Sequence, residues 1–230
     1  MSETAQNNFE EIKHLAEQGG AVKVGIAGIE PKLKRYFDLT PGEFQSWPYA
    51  ISVAVRLSRA VLESLDDRPT HLYKWHYKQA NAVLDGIAFA ITNKIQEMGY
   101  RALPIAASQI LDWKKQNAHV SHRHTAVAAG LGWFGRNNLL VTKEFGAQVR
   151  LVTVLTNLPL PAAREQAAFG CGECRRCVDE CPVDVLGESS GDFDFDRCFS
   201  LLDYFSRKKG IGVMICGLCQ KVCPGSTKLW

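Results

Sequence analysis

The residues best able to do chemistry in this chain are its eight cysteines, which all lie in the last quarter of the sequence. Four of them form a C-x2-C-x2-C-x3-C-P run, at Cys171, Cys174, Cys177 and Cys181. The other four form a looser run that ends in a second Cys-Pro pair, at Cys198, Cys216, Cys219 and Cys223. Such dense spacing is typical of [4Fe–4S] cluster binding, because three thiolates on one short loop can hold three corners of one iron–sulfur cube.

The same spacing predicts how the ligands divide between two clusters. In two-cluster ferredoxins the fourth cysteine of such a run binds the other cluster. Applied here, cluster 1 takes Cys171, Cys174, Cys177 and Cys223. Cluster 2 then takes Cys181, Cys198, Cys216 and Cys219, and no cysteine is left over.

Two other uses of cysteine fit this pattern less well. A disulfide framework belongs to secreted chains, and the polar N-terminus shows neither a basic stretch nor an apolar stretch of an export signal. Paired zinc sites also use C-x2-C spacing, but the first run is denser than a zinc ribbon.

Composition indicates an ordinary soluble globular protein, with 46% hydrophobic and 22% charged residues in a chain of 230. The net charge of +3 does not by itself imply a nucleic-acid partner. No apolar run reaches the roughly 18 residues that a membrane span needs. We therefore expect a cytoplasmic protein without a membrane partner.

Hydrophobic periodicity predicts an α/β domain over residues 1–160, with a ferredoxin-like cluster domain over 161–230. The strongest helix prediction covers 75–98 and ends at Gly99. Shorter helices are predicted at 9–18, 108–115 and 125–131. Strands are predicted at 21–27, 49–57, 100–105, 139–142 and 148–155, with a turn at Gly146 between the last two. Pro104 indicates an edge strand. Trp75, Trp113 and Trp133 are expected in the core or in a pocket wall.

A glycine-rich loop precedes the last two predicted strands, at Gly130-Leu-Gly-Trp-Phe-Gly135. Its G-x-G-x-x-G pattern does not predict a dinucleotide site, because it follows a helix and leads into a strand, and Leu155 stands where an acid is needed. Glycines here would let either a bulky ligand or another element of the chain approach the backbone.

The stretches 129–142 and 146–160, followed by the cysteine run, resemble epoxyqueuosine reductases and reductive dehalogenases. Those enzymes depend on cobalamin and carry two [4Fe–4S] clusters. The resemblance implies a nitroreductase-like α+β core that holds a base-off corrinoid beside the clusters. It also implies corrin contacts at Gly132, Gly135, Asn137, Asn138 and Val141, although the two asparagines could instead form a turn.

The chain departs from that family at the proton donor. Where epoxyqueuosine reductases carry an acid, this sequence has Gln116, and the nearest acid is Asp112. Dehalogenases use a tyrosine with a basic neighbour, for which Tyr73, Tyr77 and Lys78 are the candidates. His122 could supply a proton or a lower cobalt ligand, or could be a plain surface residue. The helical-repeat extension of long epoxyqueuosine reductases is also missing, and both departures weaken the case for a tRNA substrate.

Together these features predict an iron–sulfur oxidoreductase. Electrons from a ferredoxin- or flavodoxin-type donor would pass through two clusters to a corrinoid, which would reduce a small organic substrate. The alternative is a non-catalytic electron-transfer or corrinoid-activating protein, whose α/β domain would bind a partner instead of a substrate.

Overall fold

The structure, a computed structural model, describes residues 2–40, 42, 46–114, 116–163 and 167–225. Its helices, in chain order, are α1 (Glu3–Gln18), α2 (Pro31–Lys34), α3 (Arg59–Glu63), α4 (His71–Glu97), α5 (His122–Ala128), α6 (Arg176–Asp179), α7 (Phe195–Arg207) and α8 (Leu218–Lys221). Its strands are β1 (Lys23–Gly28), β2 (Tyr49–Arg56), β3 (Ala102–Ile105), β4 (Trp133–Phe134), β5 (Leu140–Val141) and β6 (Val149–Thr156).

The chain forms two compact units, each assembled from separate stretches of sequence. The sheet unit comprises 1–55, 81–131 and 150–167, and the cysteine unit comprises 56–80, 132–149 and 168–230. The cysteine unit thus includes two segments that lie before the predicted boundary at residue 160. Hydrogen bonds explain this grouping: the Ala147 amide donates to the Cys223 carbonyl at 3.1 Å, and the Tyr73 hydroxyl donates to the Gln220 side chain at 2.9 Å.

A four-stranded sheet with the order β1-β2-β6-β3 organises the sheet unit. Strand β1 runs antiparallel to β2, and β3 runs antiparallel to β6. These pairings make the unit α+β rather than a parallel doubly wound fold. The four predicted strands are confirmed within two residues at each end, and β3 with its Pro104 lies at the sheet edge as predicted.

The two central strands are buried on both faces. Ser52, Val53 and Ala54 of β2 are each 0% exposed, and every residue of β6 except Arg150 is buried. Alternation between polar and apolar residues is therefore weak in these strands, as expected for a sheet covered on both faces.

Helix α4 confirms the strongest helix prediction and begins four residues earlier than expected. It contributes residues 71–80 to the cysteine unit and 81–97 to the sheet unit. Its apolar stripe in the sheet unit is almost fully buried, at Leu84, Ile87, Ile91 and Ile95. The helix ends where Gly99 takes a φ of +82° and the Tyr100 amide donates to the Ile95 carbonyl at 3.0 Å.

The predicted short helix at 108–115 is wrong. Asp112 and Asn117 form an isolated bridge, and Gln116 has a φ of +51°. The Asp112 carboxylate accepts a hydrogen bond from the Lys114 amide at 2.8 Å. A side chain that binds the backbone two residues later offers it an alternative to the helix. Lys115 lies outside the described residues.

In the cysteine unit, β4 and β5 form a two-stranded sheet in which Trp133 pairs with Val141. The strand predicted at 139–142 is thus shorter than expected. The turn predicted at Gly146 is confirmed, since Thr142 and Gly146 form a bridge and Gly146 has a φ of +56°.

Within the described part of the chain, no helix combines the length and the apolar character that crossing a membrane requires.

Candidate metal centre

The four predicted ligands of cluster 1 face one cavity in the cysteine unit. This cavity has a volume of about 310 Å³. Its lining includes Cys171, Cys174, Cys177 and Cys223. It also includes the hairpin residues Trp133, Arg136, Asn137 and Val141. None of the eight cysteines is in a disulfide, so all of their thiols are available as ligands.

The pKa values show which thiols lie close together at cluster 1. Burial, followed by the charges of Cys177, Cys171 and Cys174, raises the pKa of Cys223 to about 11. Burial and the charges of Cys171 and Cys174 also raise the pKa of Cys177. In contrast, a hydrogen bond with the Arg176 side chain lowers the pKa of Cys174.

The remaining thiols form a second group. Burial raises the pKa of Cys198 to about 11, with Cys181 as the first charged neighbour. Burial also raises the pKa of Cys216 to about 11, and its charged neighbours include Cys198 and Cys181. Burial, followed by Cys216, Cys198, Cys177 and Cys181, raises the pKa of Cys219 well above its usual value. These neighbourhoods follow the two ligand sets derived from the spacing, except that Cys177 of the first set also lies near Cys219. The ligand assignment itself stays a prediction.

The donor sets fit a cationic iron–sulfur core. Half-buried thiolates repel one another and are poorly solvated, which is why most of these pKa values are raised. A bound metal supplies the positive charge that keeps such thiols deprotonated. Among the described residues, no group of three or more His, Cys, Asp and Glu side chains is arranged to hold a single metal ion.

Arg136 holds the first cysteine loop in place. Its side chain is only 8% exposed. Its Nε donates to the Cys174 carbonyl at 3.0 Å and its Nη2 to the Gly172 carbonyl at 2.7 Å. Its Nη1 donates to the Glu188 carbonyl and also pairs with the Glu188 carboxylate at 3.1 Å. The sequence analysis missed this residue; a lone arginine between glycine and asparagine in an apolar stretch is the signal that could have found it.

Close backbone packing positions Cys223. A Cβ on Gly146 would collide with the Cys223 carbonyl oxygen, and a Cβ on Gly225 would collide with the Gly146 amide. The Ala147 amide donates to the Cys223 carbonyl at 3.1 Å. The turn at Gly146 therefore needs a glycine, both for its positive φ and for the approach of Cys223.

A buried amide pair anchors the segment that leads to Cys223. Gln148 is 2% exposed, and its Nε2 donates to the carbonyls of Gln220 at 3.2 Å and Lys221 at 2.8 Å. The Gln220 Nε2 donates back to the Ala147 carbonyl at 2.9 Å. The buried Tyr73 hydroxyl donates to the Gln220 Oε1, so this tyrosine is part of the scaffold.

The predicted corrin contacts all lie in the cysteine unit, around the β4–β5 turn. A Cβ on Gly132 would collide with the Val141 carbonyl, so another element of the chain explains this glycine. Asn138 has a φ of +53°, and the Asn137 Oδ1 accepts from the Leu139 amide at 3.3 Å, so the asparagines do form a turn. Asn137 and Val141 nevertheless line the cavity.

The three candidate proton donors are divided between the two units. Asp112 and His122 belong to the sheet unit, whereas Tyr77 lies on α4 in the cysteine unit. The His122 Nε2 donates to the Ala106 carbonyl at 3.1 Å, and its Nδ1 accepts from the Thr153 hydroxyl at 2.8 Å. Burial lowers the pKa of His122 to about 4, so its imidazole is neutral at neutral pH. Its role as a proton donor or cobalt ligand stays a prediction.

The prediction for the tryptophans is right for one residue of the three. Trp133 lines the cavity, and its Nε1 donates to the Cys171 Sγ at 3.3 Å. Trp75 and Trp113 are 58% and 63% exposed, so their placement in a core or pocket wall is wrong.

Comparison with known proteins identifies the cysteine segment. Residues 170–226 match the family model of a 4Fe-4S double cluster binding domain. An epoxyqueuosine reductase from Cyclobacterium marinum is 38% identical over 117 residues, which are 47% of this chain and 37% of that protein. The chain is related in sequence to epoxyqueuosine reductases. It spans well under half the length of the curated relatives that it matches.

Solved structures of reductive dehalogenases and epoxyqueuosine reductases share the fold of this chain. A reductive dehalogenase structure described for B12-dependent dehalogenation superimposes with a TM-score of 0.77 at 23% identity, over 98% of this chain and 33% of that chain. An epoxyqueuosine reductase with an epoxyqueuosine-modified tRNA stem loop gives 0.66 at 21% identity, over 96% of this chain and 65% of that chain. The resemblance to epoxyqueuosine reductases is confirmed in sequence, and the resemblance to reductive dehalogenases is confirmed in fold. The double cluster domain makes two [4Fe–4S] clusters the cofactors of the cysteine segment.

Proposed function

We propose that this chain is an iron–sulfur oxidoreductase that passes single electrons through two [4Fe–4S] clusters to a bound corrinoid. The observation that carries the proposal is that four cysteines line one cavity of about 310 Å³, within a segment that matches a 4Fe-4S double cluster binding domain. The sequence relatives, which are named as reductases, support an oxidoreductase.

In this proposal Cys171, Cys174, Cys177 and Cys223 hold cluster 1, and Cys181, Cys198, Cys216 and Cys219 hold cluster 2. Arg136 keeps the backbone of the first cysteine loop in place through two of its carbonyl groups and ties it to the Glu188 carbonyl. Gln148 and Gly146 do the same for the segment that ends at Cys223. Fixed ligands limit rearrangement when an electron arrives.

The corrinoid is supported by the resemblance at 129–142 and by the place of Asn137 and Val141 in the cavity wall beside the cluster 1 cysteines. Gly132 adds no support, because the approach of Val141 explains it. When bound and reduced, a corrinoid supplies a strong nucleophile that no protein side chain matches. The proposal also includes a nitroreductase-like fold for the α+β core.

Two substrate classes are considered. The resemblance to epoxyqueuosine reductases, one of which is solved with a tRNA stem loop, favours a modified tRNA, where the sequence alone argues against one. Gln116 stands at the donor position, and its Nε2 donates to the Trp113 carbonyl at 2.6 Å. This chain therefore needs another proton donor for either substrate class, a modified tRNA or a small organic molecule.

The deciding experiment adds cob(II)alamin to anaerobically reconstituted protein that contains about eight irons per chain. We expect the electron paramagnetic resonance signal of bound cob(II)alamin to lose its nitrogen splitting, which shows that the lower base is displaced. When reduced clusters pass an electron to the corrinoid, the cob(II)alamin signal itself should disappear. Asn137→Ala should weaken binding and keep the iron content. The matched control is Asn93→Ala, at an exposed position of α4.

An unchanged cob(II)alamin signal with full iron content would contradict the corrinoid and favour the electron carrier. In that case the clusters should still reduce an acceptor protein. If the corrinoid binds, turnover with epoxyqueuosine-containing tRNA and with a halogenated hydroxybenzoate then separates the two substrate classes.

A further inference from the structure

Two side chains of the hairpin formed by β4 and β5 carry N–H groups and line the same cavity as the cluster 1 cysteines. The first belongs to Trp133, whose indole Nε1 donates to the Cys171 Sγ at 3.3 Å. Trp133 is half-buried and lines the cavity. A Cβ on Gly170 would collide with the indole ring, so this residue must be small for the ring to reach Cys171.

The second N–H group belongs to Asn137. This residue is 5% exposed and lines the same cavity. Its Oδ1 accepts from the Leu139 amide at 3.3 Å, whereas its Nδ2 finds no hydrogen-bond partner among the described residues. A buried donor without a partner is unfavourable, because it has lost its hydrogen bonds to water, so this amide calls for an acceptor.

The chemistry of the cavity identifies that acceptor. Its lining includes four thiols, and in the proposed function these carry a cluster with inorganic sulfides. Thiolate and sulfide sulfur atoms are anionic acceptors that have no N–H or O–H of their own. The indole and the amide are neutral donors, so both can pair with sulfur without changing the charge of the site.

We propose that Trp133 and Asn137 donate hydrogen bonds to sulfur atoms of cluster 1 and so raise its reduction potential. This inference rests on the proposed function, since it requires cluster 1 in this cavity. An N–H donor withdraws negative charge from sulfur and stabilises the form that holds the extra electron. The step is a one-electron reduction: an external donor is oxidised, cluster 1 gains the electron, and no atom is transferred.

The test is a redox titration of protein with both clusters, followed by electron paramagnetic resonance. Trp133→Phe removes the indole donor and keeps an aromatic ring. Asn137→Asp removes the amide donor and keeps the oxygen that accepts from the Leu139 amide. We expect each variant to shift one of the two reduction waves to lower potential and to leave the other wave in place. The shift should be larger for Asn137→Asp, because its carboxylate also adds negative charge.

Matched controls make the same changes at exposed positions that are not in the cavity wall. These are Trp75→Phe and Asn93→Asp, and both waves should stay where they are. Unchanged waves in Trp133→Phe and Asn137→Asp at full iron content would overturn the inference. Wild-type protein that binds fewer than two clusters would instead contradict the proposed function.

A measurement on wild-type protein keeps the test decisive if a variant loses its cluster. With 15N in the tryptophan indoles, the reduced cluster should show a 15N coupling in pulsed electron paramagnetic resonance. The coupling should persist in Trp75→Phe. Absence of any indole coupling in wild-type protein would overturn the role of Trp133.

Discussion

At the scale of single residues, His122 shows how local hydrogen bonding assigns a role. Its Nε2–H is used by the Ala106 carbonyl, and its Nδ1 accepts from the Thr153 hydroxyl. A histidine held in this way is neutral and has no free proton to deliver. Burial has the largest effect on the pKa of His122 and lowers it. The Ala106 hydrogen bond and the charge of Asp85 raise this pKa, and the charge of Arg150 lowers it further.

This gives a prediction about pH. The folded pKa of His122 is about 4, below the value of 6.5 for an ordinary histidine. As the pH falls, the unfolded chain therefore binds this proton before the folded protein does. The stability that neutral His122 contributes above pH 6.5 is lost as the pH falls toward 4. Between pH 7.5 and 5.5, wild-type protein should lose about 1 kcal/mol more unfolding free energy than His122→Gln.

Urea unfolding of the cluster-loaded protein, followed by circular dichroism, measures this difference. His71→Gln, at an exposed position, is the control and should lose as much as wild type. Equal losses in wild type and His122→Gln would show that His122 takes up its proton at the same pH in the folded protein as in the unfolded chain.

At the scale of elements, the turn between β5 and β6 positions the last ligand of cluster 1. Gly146→Ala places a Cβ against the Cys223 carbonyl and also strains a φ of +56°. Gly99→Ala is the matched control, because Gly99 has a φ of +82° but open space around it. Both variants carry a backbone strain of about 1 kcal/mol, but only Gly146→Ala adds a collision.

We expect Gly146→Ala to lose cluster 1 and keep cluster 2, and Gly99→Ala to keep both. Iron analysis should then give about half of the wild-type iron for Gly146→Ala. Electron paramagnetic resonance of the reduced protein checks which signal is left. Full iron content in Gly146→Ala would mean that the backbone of Cys223 can move without losing its ligand.

At the scale of the whole molecule, the interleaved units change what removal of the clusters should do. The cysteine unit has a small apolar core and depends on metal binding for part of its folding free energy. The sheet unit has a buried four-stranded sheet and should survive chelation of the iron. Limited proteolysis of cluster-free protein should therefore cut within 56–80 and 132–149 as well as beyond 168.

Mass spectrometry of the fragments locates these cuts, with cluster-loaded protein as the control. Cleavage confined to the region after residue 160 would support a single boundary there. Uniform resistance of the cluster-free protein would contradict the dependence of the cysteine unit on its clusters.

The sequence by itself determined the cluster chemistry, because the ligand pattern is local: three thiols on one short loop bring their own geometry wherever the loop lies. It also determined the long helix α4, whose apolar positions repeat over many residues, and the central strands, which are long apolar runs. The turn at Gly146 followed from one glycine between two apolar runs.

Only the tertiary structure decided the rest, because it depends on contacts between residues far apart in sequence. Arg136 binds carbonyls that lie 36–52 residues later in the chain, so its role has no local signal. Gly132 suggests a ligand until the Val141 backbone is seen beside it. Trp133 and Trp75 were both expected to be buried, and only long-range packing places one against Cys171 and leaves the other 58% exposed to solvent.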